Sequence, residues 1–257
     1  MKIVADRAAA LARLLAEPLL ARALDALDAP GEETRVVGGA VRDVLLGLPH
    51  GDVDLATTLA PQETMRRAGR AGLGVAPTGL AHGTVTVVVE GRPFEVTSLR
   101  EDVATDGRHA TVRFGRDFAA DAARRDFTIN ALSLSRDGAL HDTVGGLADL
   151  EAGRVRFIGE AAARVREDRL RILRFYRFGA RFSAGAPDSE GVAATIAGRG
   201  GLADLSRERV GAETLRLLAA PRAADAIEAM AGAGLVLPVF GGPVRPVALA
   251  RVAGAEI

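Results

Sequence analysis

Two aspartates separated by one residue follow a glycine-rich turn in the first quarter of the chain. The turn covers residues 38–43, and Asp52 and Asp54 come shortly after it. On a β-strand, side chains two residues apart point to the same face, so these two carboxylates converge on one spot. Paired hard carboxylates suit Mg²⁺, which keeps coordination positions open for substrate phosphates. We therefore predict a Mg²⁺ site with Asp52 and Asp54 as ligands.

A pair of glycines opens the preceding turn. Gly38 and Gly39 stand between a short β-branched run and a short helical pattern. Glycine lets the backbone come close to a ligand, and the first turn of a helix offers N–H groups to a phosphate. Arg42 would lie in that turn and could donate two hydrogen bonds to the same phosphate. The alternative, an ordinary turn followed by hydrated aspartates, is disfavoured by the close succession of the two motifs.

A third carboxylate interrupts the apolar run at residues 93–99. A charge that faces a protein core is rarely tolerated without a partner, so Glu95 needs an explanation. If this strand pairs beside the one that carries Asp54, Glu95 faces the predicted metal site. The alternative is an edge strand on which Glu95 faces water.

Two arginines and an aspartate stand between a predicted helix and a predicted strand, at Arg124, Arg125 and Asp126. The arginines could bind phosphate and ribose while Asp126 orients them. The alternative is that Asp126 only forms an ion pair with a neighbouring arginine. For Asn130 we predict no role.

Charged residues recur every three positions along a predicted helix over residues 161–181. They are Asp168, Arg171, Arg174 and Arg177. Each step of three rotates about 60° backward on an ideal helix. Asp168 and Arg171 should therefore share a face, whereas Arg177 should point to the opposite side. The alternative is a hydrated face of ion pairs.

Three segments, 38–57, 123–131 and 167–174, resemble in order the successive motifs of the bacterial class II nucleotidyltransferases. That family comprises CCA-adding enzymes, their CC- and A-adding relatives, and bacterial poly(A) polymerases. The resemblance extends over residues 35–180. It implies a polymerase-β-like head, followed by a helical neck, body and tail.

The resemblance also implies roles for individual residues. Asp52 and Asp54 would hold the metal, and Glu95 would be the third catalytic carboxylate. The residues expected to bind nucleotide are Gly38, Gly39, Arg42, Arg125, Asp126, Asp168, Arg171, Arg174 and Arg177.

The elements that must position these residues change in type near residue 150. Strands alternate with helices before it, and the pattern is all-helical after it. We expect an α+β head with a mixed or antiparallel sheet at 1–150, a helical neck for base selection at 151–220, and the incomplete start of a helical body at 221–257.

The predicted element bounds follow from periodicity and turn residues. Helices are expected at 5–28, 40–46, 61–71, 118–125, 161–181, 189–198, 206–219 and 222–233. Strands are expected at 35–37, 52–57, 84–90, 93–99, 128–135 and 154–158, and a mobile loop at 101–117.

Composition narrows the possible functions. Hydrophobic residues make up 48% of the 257 residues, and 33 basic residues balance 33 acidic ones. Any RNA-binding surface must therefore arise from local arginine clusters. The absence of cysteine excludes disulfides and thiolate metal sites, and fits a cytoplasmic protein. Charged residues interrupt the apolar N-terminal stretch, so no signal peptide or membrane span is expected.

The family resemblance implies addition of CMP and AMP from CTP and ATP to a tRNA 3′ end, with Mg²⁺ and release of pyrophosphate. Residues 77–84 resemble the pattern of CCA-adding enzymes, and the loop at 101–117 is long enough for the flexible element that CC-adding enzymes lack. Two alternatives stay open. One is an A-adding enzyme or poly(A) polymerase, and the other is a non-catalytic RNA-binding head–neck fragment. The sequence predicts no particular oligomeric state.

Overall fold

The computed structural model of the protein describes residues 2–101 and 113–242. Within these ranges the chain forms two compact units. The first, here called the sheet unit, consists of Lys2–Arg125 and Ile129–Leu147. The second, the helical unit, consists of Asp126–Thr128 and the chain from Ala148 onward. Most of the predicted loop at 101–117 lies outside the described residues, and the predicted domain borders stay predictions.

The sheet unit is built on a mixed sheet with the strand order β3-β4-β5-β2-β1-β8-β9. Its strands are β1 Thr34–Val37, β2 Asp54–Thr57, β3 Gly74–Gly79, β4 Thr84–Val89, β5 Arg92–Ser98, β8 Ser133–Ser135 and β9 Leu140–His141, and a separate pair is formed by β6 Arg100–Glu101 and β7 Arg113–Phe114. Strands β2 and β5 run parallel, whereas the other described neighbours are antiparallel. The predicted mixed sheet is therefore confirmed.

The strands predicted at 84–90 and 93–99 are present as β4 and β5, which pair in an antiparallel hairpin. Val85, Val87 and Val89 alternate on the buried face of β4. The turn consists of Glu90 with φ 49° and Gly91 with φ 84°. Two positive φ angles in a two-residue loop match the right-handed twist of the flanking strands.

The predicted helix at 5–28 is two helices, because Pro18 has no N–H to donate and its ring fits only the first turn of a helix. The helices up to residue 151 are α1 Arg7–Leu15, α2 Pro18–Leu27, α3 Gly39–Leu45, α4 Pro61–Arg70, α5 Phe118–Ala123 and α6 Gly146–Glu151. None of the helices in the described ranges has the length and apolar character that crossing a bilayer requires.

The helical unit contains α7 Ala161–Glu167, α8 Arg171–Phe182, α9 Ser189–Gly198, α10 Arg207–Leu218, α11 Ala223–Gly232 and α12 Val236–Phe240. Its core includes an aromatic cluster around Phe127, whose ring centroid lies 4.8 Å from that of Phe157 and 5.2 Å from that of Phe178. The predicted all-helical character of this region is confirmed.

One predicted strand is shorter than expected, and another is wrong. Residues 128–135 are a 3₁₀ turn at Thr128–Asn130 followed by the short β8. Residues 154–158 contribute a single bridge between Phe127 and Phe157. Both segments contain buried residues outside strands, and a short apolar run does not distinguish a strand from a buried turn.

Candidate active site

The carboxylates meet where β2 and β5 run side by side. The parallel register makes Asp54 and Glu95 direct Cα partners. Val53 and Leu55 are buried, whereas Asp52 and Asp54 are exposed, so both aspartates lie on the side of the sheet away from the core. β2 begins only at Asp54, so Asp52 lies just before the strand.

Glu95 follows the same alternation on β5. Its neighbours Phe94 and Val96 are buried, whereas Glu95 itself is exposed. Glu95 therefore does not face the core, and it lies beside Asp54 on a strand that pairs as the sequence prediction requires. Asp54 and Glu95 thus lie side by side on the adjacent strands β2 and β5, and Asp52 lies just before β2.

The pKa of Asp54 shows how concentrated this negative charge is. Although the residue is exposed, the surrounding protein desolvates its carboxylate and so raises its pKa, and the charges of Glu95 and Asp52 raise it further. Arg125 opposes these effects and lowers the pKa of Asp54. A divalent cation at this position would relieve the repulsion, so the residues present fit a metal ion.

These carboxylates do not form a complete metal cage. Within residues 2–101 and 113–242, no group of three or more His, Cys, Asp or Glu side chains is arranged to hold an ion by itself. Mg²⁺ is commonly bound by one or two carboxylates and completed by water and substrate phosphates. The arrangement therefore fits an ion that is shared with a phosphorylated substrate.

The glycine turn brings Arg125 close to the strand end. Gly38 has φ 75° and ψ −125°, a conformation open to glycine, and a Cβ added there would lie 3.0 Å from Nη1 of Arg125. The Arg125 guanidinium also donates to Asp121 Oδ2 at 3.1 Å. The lack of a side chain at Gly38 thus leaves room for the Arg125 guanidinium near the carboxylates.

Arg42 is buried, and its predicted contact with a nucleotide stays a prediction. It is only 7% exposed, its Nε donates to Asp43 Oδ1 at 2.9 Å, and its Nη1 donates to the side-chain oxygen of Asn130. These bonds tie the start of α3 to the turn after α5. The structure thus favours a role for Arg42 in holding the glycine turn, and gives Asn130, to which the sequence assigned no role, a place as its partner.

In the helical unit, Asp126 forms an ion pair. Its Oδ2 accepts from Arg174 Nε at 2.7 Å and from Arg174 Nη2 at 2.6 Å, and its Oδ1 accepts from the N–H of Phe127 at 2.9 Å. This is the pairing that the sequence analysis left open as the alternative. Asp126 therefore positions Arg174, and a nucleotide contact by either residue stays a prediction.

The predicted single helix at 161–181 is wrong. α7 ends at Glu167, Asp168 has extended angles of φ −147° and ψ 110°, and α8 begins at Arg171. The argument that Asp168 and Arg171 share one helix face therefore fails. The break has a local cause, because the short carboxylate of Asp168 accepts from the N–H of Leu170 at 3.0 Å instead of continuing the helix.

Asp168 and Arg171, both predicted to bind nucleotide, nevertheless lie at this break. Asp168 Oδ2 accepts from Arg209 Nη2 at 2.8 Å. Arg171 Nη1 donates to Glu167 Oε2 at 2.5 Å and to the backbone oxygen of Arg164 at 3.1 Å. The backbone N–H of Arg171 also donates to the carbonyl of Asp168 at 3.0 Å, so a tight turn joins the two residues.

A buried glutamate in α10 was not found by sequence reasoning. Glu213 is 3% exposed and accepts from Arg177 Nε at 2.6 Å and from Arg216 Nη1 at 3.0 Å, while Arg174 Nη1 lies 3.9 Å from its Oε1. Burial lowers the pKa of Arg177, and the negative charge of Glu213 offsets only part of this effect. Arg177 and Arg174, both predicted to bind nucleotide, are thus held by Glu213.

The mixed sheet with carboxylates on adjacent strands, next to a glycine turn, is the head of a polymerase-β-like nucleotidyltransferase. Residues 34–156 match the model of the poly A polymerase head domain. Residues 34–156 thus belong to this head-domain family, and the chain as a whole is similar to CCA-adding enzymes.

Three comparisons show this similarity. The mitochondrial CCA tRNA nucleotidyltransferase 1 of Danio rerio is 44% identical over 79% of this chain and 48% of its own length. The CCA-adding enzyme of Geobacillus thermodenitrificans is 42% identical over 81% of this chain and 51% of its own. The crystal structure of the Bacillus stearothermophilus CCA-adding enzyme with CTP superposes with a TM-score of 0.79 at 36% identity, covering 93% of this chain and 58% of that one.

The chain thus spans about half the length of the curated relatives that it matches. The family implies use of a divalent metal. Since the relatives include mitochondrial proteins, the expected cytoplasmic location stays a prediction.

Proposed function

We propose that this chain transfers CMP and AMP from CTP and ATP to the 3′ end of tRNA and so builds or repairs the CCA terminus. In each step the 3′-hydroxyl loses its proton, its oxygen bonds to the α-phosphorus, and the bond to the leaving pyrophosphate breaks. The observation that carries the proposal is the pairing of Asp54 with Glu95 beside Asp52 and Arg125, in a chain similar to CCA-adding enzymes.

The carboxylate edge is the proposed metal site. Asp52 and Asp54 would hold Mg²⁺, and Glu95 would complete the negative field from the neighbouring strand. When bound, such ions lower the pKa of an attacking hydroxyl and neutralise charge on the leaving phosphates.

Arg125 is the side chain best placed to bind the triphosphate. It is partly exposed, it lies against the Gly38 turn, and it is close enough to Asp54 to lower the pKa of that carboxyl. The guanidinium would thus meet the phosphates near the metal, while Gly38 and Gly39 leave room for them. Arg42 would hold this turn in place through its hydrogen bonds to the side chains of Asp43 and Asn130.

Without a nucleic-acid template, the protein would select a base by matching its hydrogen-bond donors and acceptors to those of the base. Cytosine and adenine each present an amino donor beside a ring-nitrogen acceptor, whereas uracil and guanine present a carbonyl acceptor beside an N–H donor. An ionised aspartate only accepts and an arginine only donates. We assign the two halves of this recognition to Asp168 and Arg171, which one tight turn joins. In the same helical unit, Asp126 would position Arg174, and Glu213 would position Arg177.

Replacing Asp168 with alanine is expected to relax discrimination against UTP and GTP while lowering the rate with CTP and ATP. One mismatched bidentate pair is worth about 1–3 kcal/mol, which corresponds to roughly a fivefold to 150-fold change in preference. The measurement is kcat/KM for all four nucleotides, with Asp204→Ala, an exposed aspartate elsewhere in the unit, as the control. An unchanged selectivity profile in Asp168→Ala would show that base choice lies elsewhere.

Supplying CTP alone to tRNA that ends before its CCA separates this function from its rivals. A CCA-adding enzyme extends that RNA by two cytidines. An A-adding enzyme or poly(A) polymerase leaves it unchanged until ATP is supplied, and a non-catalytic RNA-binding fragment leaves it unchanged with either nucleotide.

A further inference from the structure

Asp52, the first of the proposed metal ligands, lies outside the hydrogen-bonded ladder of the sheet. β2 and its register with β5 begin at Asp54. On one side of Asp52 the chain is fixed by the buried Val53, whereas on the other side Gly51 is exposed. Glycine has more backbone freedom than any other residue. The position of Asp52 therefore depends on what holds the chain just before Gly51.

His50 anchors the chain at this point through Glu17. Nε2 of His50 lies 2.6 Å from Oε1 of Glu17. An ionised carboxylate only accepts hydrogen bonds, so Nε2 is the donor in this contact. The side chain of His50 is 15% exposed, so the contact is largely shielded from water. Glu17 thus fixes the loop that leads to Asp52.

The same carboxylate also binds the start of the neighbouring catalytic strand. Oε2 of Glu17 accepts from Nη1 of Arg92 at 3.0 Å, and Arg92 is the first residue of β5, which carries Glu95. Arg92 also lies against the ring of the buried Phe94. Because side chains alternate along a strand, Arg92 and Glu95 point to opposite faces of the sheet. Glu17 therefore joins the two catalytic segments from the face opposite the metal ligands.

The local sequence leaves the Glu17 carboxylate free for this task. Pro18 restricts the residue before it to extended conformations, and Glu17 has φ −59° and ψ 122°. Glutamate is not among the residues that commonly cap a helix, and within residues 17–27 its carboxylate makes no capping hydrogen bond to α2. Its two oxygens instead bind His50 and Arg92.

We propose that Glu17 is a positioning residue for the metal site, because it sets the spacing between the segments that carry Asp52 and Glu95. This inference rests on the proposed metal-binding role of Asp52 and Asp54. Without the Glu17 carboxylate the metal ligands remain, but Asp52 occupies a wider range of positions. Mg²⁺ demands near-ideal octahedral geometry and then binds more weakly. The defect should therefore appear in the Mg²⁺ requirement.

The test compares Glu17→Ala and Glu17→Gln with a matched control, Glu63→Ala. Glu63 also accepts from two cationic side chains, Arg66 and Arg67, and its own side chain is 32% exposed, against 29% for Glu17. The readouts are the rate of CTP incorporation and the midpoint of thermal unfolding, each measured over a series of Mg²⁺ concentrations.

Glu17→Ala should raise the half-saturating Mg²⁺ concentration by about tenfold in both readouts, which is the lower end of the cost of losing a contact that supports a metal ligand. Its rate should recover at saturating Mg²⁺. Glu17→Gln keeps one acceptor oxygen and should be intermediate, and Glu63→Ala should have the Mg²⁺ requirement of the wild type.

An unchanged Mg²⁺ requirement in Glu17→Ala, or an equal increase in Glu63→Ala, would overturn the positioning role. A loss of rate that saturating Mg²⁺ does not restore would show a contact that only supports the fold, and would overturn it too. If Glu17→Ala does not fold, Glu17→Gln decides by the same criteria.

Asp54→Asn, measured in parallel, separates failure of this inference from failure of the proposed function. If Asp54→Asn loses its activity and its response to Mg²⁺ while Glu17→Ala behaves as wild type, only the role of Glu17 is refuted. If Asp54→Asn keeps both, the metal assignment fails and the inference fails with it.

Discussion

Asp54→Asn is expected to lower nucleotide addition by about a thousandfold or more while the protein stays folded. The metal that this carboxylate would hold supplies several kcal/mol of transition-state stabilisation, so the loss of one ligand has a large effect on rate. Asparagine keeps the size of the side chain and removes its charge. Asp52→Asn should have the same direction of effect, because Asp52 contributes to the same negative field. The measurement is single-nucleotide incorporation with CTP under saturating Mg²⁺.

The stability of the same variant provides a second readout. In the folded protein, desolvation and the charges of Glu95 and Asp52 raise the pKa of Asp54, which means that its ionised form destabilises the fold at neutral pH. Without divalent metal, the thermal midpoint of Asp54→Asn should therefore equal or exceed that of the wild type. Added Mg²⁺ should raise the midpoint of the wild type and of the exposed control Asp204→Asn, but should raise that of Asp54→Asn much less. Near-wild-type activity, or equal stabilisation of all three proteins by Mg²⁺, would refute the metal assignment.

Glu213→Ala is expected to be the most destabilising of the substitutions considered, with a loss of about 3–5 kcal/mol in the free energy of unfolding. The side chain of Glu213 is 3% exposed and that of Arg177 is 16% exposed, so removal of the carboxylate leaves a guanidinium that is neither paired nor well hydrated. Arg216, at 64% exposure, contributes little to this loss. The measurement is equilibrium unfolding by urea.

Two comparisons make the Glu213 result interpretable. Glu213→Gln keeps a hydrogen-bond acceptor for Arg177 and should be less destabilising than Glu213→Ala. Glu208→Ala removes an exposed glutamate from the first turn of the same helix and should change stability by less than about 1 kcal/mol. A Glu213→Ala protein as stable as Glu208→Ala would mean that the arginines find other partners and that Glu213 does not hold them.

The sequence predicts the sheet unit well because its signals are local. Alternation of Asp52, Val53 and Asp54 decides which side chains leave the core, and the Gly91 turn sets the hairpin that carries Glu95. β3 was missed, because Gly74–Gly79 contains Pro77 and lacks a clean alternation, as edge strands commonly do.

The base-reading segment could not be predicted in the same way. Residues 161–181 contain no proline and one glycine, Gly179, near the end, so periodicity alone favours an unbroken helix. At the break, the Asp168 side chain accepts from the Leu170 N–H, which periodicity does not reveal, and it pairs with Arg209, which is 41 residues away in the chain. Glu213 likewise resembles a hydrated charge in the sequence, and only the packing of α10 on α8 makes it a buried partner of Arg177.

The central claim is most directly tested by the mass of the product formed from tRNA that ends before its CCA, incubated with this chain, CTP, ATP and Mg²⁺. The account predicts a product longer by two cytidines and one adenosine, after which addition stops, and no product when the ion is chelated or when Asp54 is replaced by asparagine. Unchanged RNA in the presence of both nucleotides and Mg²⁺, or a tail of adenosines alone, would contradict it.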